Sequence, residues 1–303
     1  MSTTSVLVTD PARELPLAKR RRPRTAGDWL LAVPGLALLL IAMIAPLIWF
    51  LWDSIADIGT SADIFANVIE TVSDIIILDA AYYTAATSLV VTLICVVLAY
   101  PMAAALTLAR GMFFNLLIGA IIVPYFTSTI VRTYAWMVLL GRGGIINQAM
   151  LDLGAIDAPM QLLYTHGAVI LGMTYVLLPY MVLTIFTAMK AIDPRLLQAA
   201  QSMGSPGWYT FLRVYAPLTM PGVMSGSIIV FILSTGFFVT PALMGGKDDV
   251  MIGNLIQSEV EINLNWGLAS IISIFALVFI LALYWTYYRI ANIGALIDQE
   301  DSR

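Results

Sequence analysis

One cysteine, one histidine and few charges mark this 303-residue chain, and each shortage removes a class of chemistry. Charged residues make up 11% against 60% hydrophobic, too few to wet the surface of an ordinary soluble domain, so the chain reads as an integral membrane protein. Cys95 alone can form neither an intrachain disulfide nor a cysteine-built metal site, and inside its apolar run it reads as a packed, inert thiol. The lone His166 excludes a His-Glu-x-x-His motif and a serine–histidine pair, and it falls at the headgroup level of a span boundary. No Gly-x-x-x-x-Gly-Lys-Ser/Thr string exists: Gly245-Gly246-Lys247 continues into Asp248, so the chain does not hold ATP in the P-loop manner. The net charge is −4 and the basic residues come in short clusters, which gives no face for nucleic acid. No acidic residue falls inside a predicted span. That removes the coupling carboxylate of an ion-driven secondary carrier and the aspartate pair of an intramembrane hydrolase.

What remains is a succession of apolar runs separated by polar punctuation. Residues 1–28 carry Arg13, Lys19, Arg20, Arg21, Arg22 and Arg24 without enough apolar residues for a core, a basic tail beside a first span. Trp29 to Trp52 is the first predicted span, long enough to cross and lacking a small-residue cleavage site. From Asp53 to Ala81 there are six acids and no Lys or Arg, with Ile64, Val68, Val72, Ile75 and Ile76 near helical spacing, which predicts an amphipathic helix on the outer surface. Further spans are predicted at Tyr82–Leu108, at Leu116–Leu140 as one helix holding Pro124 and Arg132, at His166–Ala188, at Gly222–Leu243 and at Trp266–Ile290. A glycine-rich outer segment, Gly141 to Thr165, holds one short helix at Asn147–Leu153. A second outer segment runs from Met244 to Asn265, and 291–303 form a short tail.

Orientation comes from the basic residues. This assignment leaves only Arg142 and Lys247 on the outer side and Arg132 within a span, and puts every other Lys and Arg on the inner side with both termini. An even number of spans is required, and six satisfy it.

The longest polar interruption is Gln198 to Pro221. Leu196–Met203 reads as a short helix, Gly204-Ser205-Pro206 as a turn, and Trp208–Val214 as a second helix stopped by Pro217. Trp208, Phe211, Leu212 and Tyr215 give this knob an apolar face, while Gln198, Gln201, Thr210 and Arg213 keep it wettable, a surface suited to docking on another protein. The sequence Gln198-Ala199-Ala200, then Gly204, Phe211 and Pro217, resembles the cytoplasmic Glu-Ala-Ala…Gly signature of the permease subunits of binding-protein-dependent ABC importers. Gln198 replaces the family's leading Glu and cannot pair with a cation, so docking there rests on shape. The strings TYAW from Thr133, LLGRGGIIN from Leu139, LPYMVL from Leu178, FVTPALMGG from Phe238 and MIGNLI from Met251 are similar to the spermidine and putrescine branch, over about residues 29 to 290. The resemblance implies an all-α integral membrane protein with six transmembrane helices and a cytoplasmic helix-turn-helix coupling loop at about 190–221. It implies a multi-pass inner-membrane subunit that works beside a second, related permease. ABC ATPase subunits would lie beneath, binding the ATP, and a periplasmic or lipid-anchored solute-binding protein would deliver cargo from outside. It implies no enzyme activity and no cofactor in this chain. The same pattern serves other small organic solutes, amino-acid derivatives among them.

The coupling residues implied are Gln198, Ala199, Ala200, Gly204, Trp208, Phe211 and Pro217. For the translocation path the candidates are Arg132, Tyr134, Trp136 and Tyr175. An unpaired guanidinium within a span costs at least about 2.5 kcal/mol, so Arg132 faces either the path or backbone carbonyls of the outer segment, which it would clamp. The aromatics offer faces to an ammonium chain, or pack at the membrane boundary. Asp248, Asp249, Glu259 and Glu261 supply outer negative charge or a solvated face for the binding protein. Prolines 101, 124, 179, 217, 221 and 241 mark potential bends. Gly222 and Gly226 permit close helix approach, within the chain or between subunits.

Overall fold

The computed structural model describes residues 26–56 and 73–300, all of them helical or connecting, with no strand among the described residues. The chain divides into two units, Met1–Asp53 and Ser54–Arg303. The first is represented by helix α1, Ala26–Ala56, whose 31 residues include the predicted first span. The basic tail lies outside the described residues, as do Ile64, Val68 and Val72 of the predicted amphipathic helix.

The second unit opens with α2, Ile75–Leu108, capped by Asp74, whose side chain accepts from the Ile76 amide at 3.0 Å. Ile75 and Ile76 therefore belong to a membrane helix rather than to a surface one, and the second span begins earlier than Tyr82. At about 51 Å this helix exceeds the hydrocarbon thickness of about 30 Å, so Asp79 near its start need not enter the apolar zone. Helix α6, His166–Ala191, begins at the predicted residue, with the Thr165 hydroxyl as its cap.

The predicted third span is not one helix. It is α3, Gly111–Ile122, a 3-10 turn Val123–Phe126, and α4, Thr129–Leu140, which continues toward α5, Ile145–Asp152; the two arms meet at 102°. Pro124 supplies no amide, the Thr127 amide closes the turn on the Pro124 carbonyl at 3.1 Å, and the extended Thr127 and Ser128 end the first arm. Stacking of Tyr125 edge-on against Tyr180, 5.4 Å between centroids, ties the corner to α6.

Helix α7, Pro194–Ser202, and helix α8, Gly207–Thr235, come next. Pro217 does not stop the second knob helix, which runs unbroken into the fifth span. The reason is a π turn at Phe211–Tyr215, where the Ala216 amide donates to the Phe211 carbonyl five residues back. This wider turn makes room for a proline ring that would clash with a carbonyl of a tight α-helical turn. Span five ends at Gly236, short of the predicted Leu243, and Val239–Met244 forms a separate helix, α9. Helix α10, Ile252–Glu261, precedes α11, Trp266–Glu300, which extends past the predicted span into the predicted tail.

The core is the seam of α2, α6 and α8. Thr84, Thr87, Ser88, Val91, Thr92, Cys95, Ala99 and Ala103 form a mostly small, buried stripe on α2 against Val169, Met173, Leu177, Met181 and Ile185 of α6. Small residues let helix backbones approach where lipid offers no hydrophobic drive. Cys95 is a fully buried free thiol within this seam, its Sγ 3.8 Å from the Thr174 carbonyl. Gly222 and Gly226 pack within the chain: a Cβ on Gly222 would collide with Ala188, and one on Gly226 would lie 2.8 Å from the Met181 sulfur.

Candidate functional site

The knob is built by local chemistry. Asp193 caps α7 through the Arg195 amide at 2.9 Å, with Pro194 opening the helix. The helix ends in a Schellman turn, the Gly204 amide donating to the Gln201 carbonyl at 2.9 Å and the Ser205 amide to the Ala200 carbonyl at 3.3 Å. Gly204 sits at φ +82°, where a side chain is disfavoured by backbone strain although a Cβ would meet nothing within 4 Å. Thr210 is buried and donates to Ser205 Oγ at 3.0 Å, and Ala200 is buried beside this turn, so the two short helices are locked together. With the polar groups satisfied inside, apolar groups point out: Met203 is 83% exposed, Trp208 67%, and Phe211 and Leu212 are exposed as well. Gln198, Ala199 and Pro217 are exposed, and only Ala200 of the seven coupling candidates is buried.

The path candidates divide. Trp136 and Tyr175 meet edge-on with centroids 5.6 Å apart. Tyr175 also lines an apolar cavity of about 250 Å³ with Met102, Leu117, Pro124 and Pro179, between α2, α6 and the bent span. Arg132 lies one helical turn from Trp136 on the same face, and Tyr134 lies on another face and is 64% exposed.

Arg132 is 9% exposed and donates from Nη2 to the Thr129 hydroxyl at 3.2 Å. Its Nε and Nη1 are buried without a hydrogen-bond partner among the described residues. It makes no bond to a carbonyl of the outer segment, and that clamp is Asn147 instead. Fully buried, Asn147 donates from Nδ2 to the Gly141 and Met160 carbonyls, each at 3.0 Å, and accepts the Met160 amide at 2.9 Å.

A second polar cluster joins residues far apart in the chain near the N-terminal ends of α2 and α6. The Tyr83 hydroxyl donates to Asp249 Oδ1 at 2.8 Å, His166 Nδ1 lies 2.7 Å from that hydroxyl, and Asp249 Oδ2 accepts the Gly246 amide at 2.8 Å. A phenol has one proton; with it committed to the carboxylate, His166 Nδ1 must carry the proton it shares with Tyr83. Nearby, the Ile252 amide donates to the buried Thr84 hydroxyl at 2.9 Å. His166 is thus at a span boundary as expected, but it is partnered, and Asp249 is a structural acceptor rather than free outer charge. No short-range pattern links residues 83, 166 and 249. Asn147 is within reach of sequence reasoning, being the lone asparagine in a glycine-rich segment. No group of His, Cys, Asp or Glu among the described residues is arranged to hold a metal ion.

The fold of this chain is one found in ABC transporters. A bacterial ABC transporter involved in the import of the acidic polysaccharide alginate matches with a TM-score of 0.65 over 88% of this chain and 96% of that chain, at 16% identity. The MetNI methionine ABC transporter, in an inward-facing conformation, matches with a TM-score of 0.57 over 72% and 95%, at 15% identity. No family model matches the chain. The spermidine/putrescine transport system permease protein PotB of Haemophilus influenzae is 37% identical over 200 residues, 66% of this chain and 70% of that protein. PotB of Escherichia coli K12 is 35% identical over 208 residues, 68% and 76% of the two chains. This chain belongs to the PotB family of ABC transporter permeases. The relatives named are transport permeases and not enzymes.

Proposed function

We propose that this chain is the membrane-spanning subunit of an ATP-driven importer of polyamines, spermidine and putrescine being the first cargoes to test. The observation that carries this is the 37% identity to PotB over two thirds of the chain; the outward-facing apolar knob agrees with it. Among the described residues four helices, α2, α6, α8 and α11, are long and apolar enough to cross a membrane, and the bent pair makes a fifth crossing if it is one span. Counting α1 by its apolar sequence gives the six crossings of a bacterial inner membrane proposed here. The basic residues place both termini and the knob in the cytoplasm. The permease domain is 29–290, the coupling loop is about 190–221, and 1–28 and 291–303 are cytoplasmic extensions. Gln198, Ala199, Ala200, Gly204, Trp208, Phe211 and Pro217 dock on an ABC ATPase, which binds the ATP; the chain brings no cofactor and performs no chemistry itself. A second, related permease completes the path, and a periplasmic or lipid-anchored solute-binding protein loads it. Trp136 and Tyr175 offer ring faces to ammonium groups along the path, with the buried Arg132 on the same face and Tyr134 on another face of the helix as further path candidates.

The test is uptake of radiolabelled spermidine and putrescine into proteoliposomes holding the assembled transporter. The expected result is uptake that requires ATP, the ATPase and the binding protein. Uptake by this chain alone, without nucleotide, would overturn the proposal.

A further inference from the structure

Because α8 runs without a loop from the knob into the membrane, anything that displaces the knob displaces α8. Where that displacement travels depends on the neighbours α8 grips. Against α6 the grip is close packing at Gly222 and Gly226, with no hydrogen bond between the two helices there. Against α2 it is directional. The Thr219 hydroxyl gives its one proton to the Ala216 carbonyl at 2.8 Å, so the 3.1 Å contact between Thr219 Oγ1 and Tyr100 is a bond that Tyr100 donates. Thr219 is fully buried. The same tyrosine ring meets Phe211 edge-on, with centroids 6.1 Å apart and planes at 88°, and Phe211 lies 6.0 Å from Tyr215.

Phe211 opens the π turn and Thr219 lies beyond its end, so Tyr100 grips α8 on both sides of the turn. A π turn interrupts the regular α-helical ladder with a bond five residues back, and such turns recur at functional sites. Pro217 weakens this stretch further by removing an amide. It is the first place along α8 where a push on the knob can be lost as bending, ahead of Pro221. The brace also falls at a soft point of its own helix: Pro101 follows Tyr100 and leaves the Val97 carbonyl without its helical donor.

We propose that Tyr100 is a positioning residue for transport. It bridges the π turn of α8, keeps the turn from absorbing knob displacement, and passes that displacement to α2 at Pro101. This rests on the proposal that the knob takes the ATPase's stroke.

The experiment compares wild type, Tyr100→Phe, Tyr100→Leu and Thr219→Ser in the assembled transporter in proteoliposomes. Radiolabelled spermidine uptake, ATP hydrolysis and retention of the ATPase through purification are measured on each. Tyr100→Phe keeps the ring and loses the donor; spermidine moved per ATP should fall about fivefold, the factor one neutral hydrogen bond is worth. Tyr100→Leu, losing the ring contact too, should fall further, while Thr219→Ser keeps the acceptor and stays near wild type. Hydrolysis and ATPase retention should hold in all four. An unchanged ratio in both Tyr100 variants overturns the inference. So does a loss of ATPase retention in step with uptake, which would make Tyr100 a prop for the knob's own fold. Nucleotide-independent uptake by the unmutated protein defeats the importer proposal instead, and is scored before any variant is compared.

Discussion

The knob on α7 and α8 and the bracket around residues 141–165 and 245–252 are both polar interruptions between apolar helices, yet they are built oppositely. The knob's bonds close within a few residues: Asp193 to Arg195, Ala200 to Ser205, Ser205 to Thr210. Its polar groups are spent locally and its apolar side chains face outward. In the bracket, Tyr83 reaches Asp249 across 166 residues and the Ile252 amide reaches Thr84 across 168, while Asn147 spans 13. The bracket fastens the N-terminal ends of α2 and α6 to the loop between α9 and α10; the knob presents a surface. A docking part of the kind proposed for the knob needs a self-contained shape, whereas an end framed by several helices needs ties among them.

The sharpest way to break this contrast is Gly204→Asp. Nothing crowds a side chain at Gly204, so the bundle should insert normally. Asp tolerates the left-handed backbone better than most residues do, so the effect rests on the carboxylate that lands beside the exposed Met203 and Trp208. Uptake should be abolished with membrane insertion intact, checked by transport assay and by quantifying the subunit in membranes. Full uptake would mean the knob is not a docking surface.

Asn147→Ala attacks the other side. It strands the Met160 amide, while the Gly141 and Met160 carbonyls keep the Gly144 and Leu162 amides as donors; a stranded group of this kind costs about 1–3 kcal/mol. The detergent-solubilised subunit should lose several degrees of thermal stability while keeping its ATPase bound; the reverse pattern would erase the distinction between frame and docking face. Tyr83→Phe should act in the same direction but more weakly. Asp249 keeps the Gly246 amide and can take the His166 proton directly across the present 3.5 Å, so the net loss is about 1 kcal/mol. A melting temperature that falls more for Tyr83→Phe than for Asn147→Ala would reverse this ranking.

The same difference explains what is legible in the sequence. Gly204 announces the knob's turn by local rules, and the turn falls where the residues predict; the first knob helix runs Pro194–Ser202 rather than Leu196–Met203, because Asp193 caps it and Pro194 opens it two residues earlier. Apolar run length places α6 and locates the other long helices to within a turn or two at most ends. Pro217 misleads because a proline's missing amide can be met either by ending a helix or by widening one turn, and only its neighbours decide which. The corner after Pro124 escapes notice because Leu116–Leu140 is apolar throughout, and hydropathy does not record direction. The Tyr83–His166–Asp249 cluster depends on how three elements pack and leaves no mark at short range. Arg132 is visible as an oddity, but the role of carbonyl clamp belongs to Asn147.

The smallest expected effect is the most exacting, because it asks whether the knob docks by shape alone. Gln198 is exposed on α7 where the family's signature has Glu, and Gln198→Glu adds a charge without altering bulk. An exposed ion pair with a basic residue on the ATPase is worth at most about 1 kcal/mol, or about fivefold in affinity. Screening sets in at a Debye length of about 10 Å in 0.1 M salt. If the partner surface keeps a cation there, Gln198→Glu should tighten ATPase binding at low salt and lose the gain at high salt, as measured by titrating the ATPase onto the reconstituted permease. If that surface has changed to suit a glutamine, binding should be equal or weaker at every salt concentration. Docking would then rest on Met203, Trp208 and Leu212, and Trp208→Ala, not the charge at 198, would be the substitution that loosens the complex.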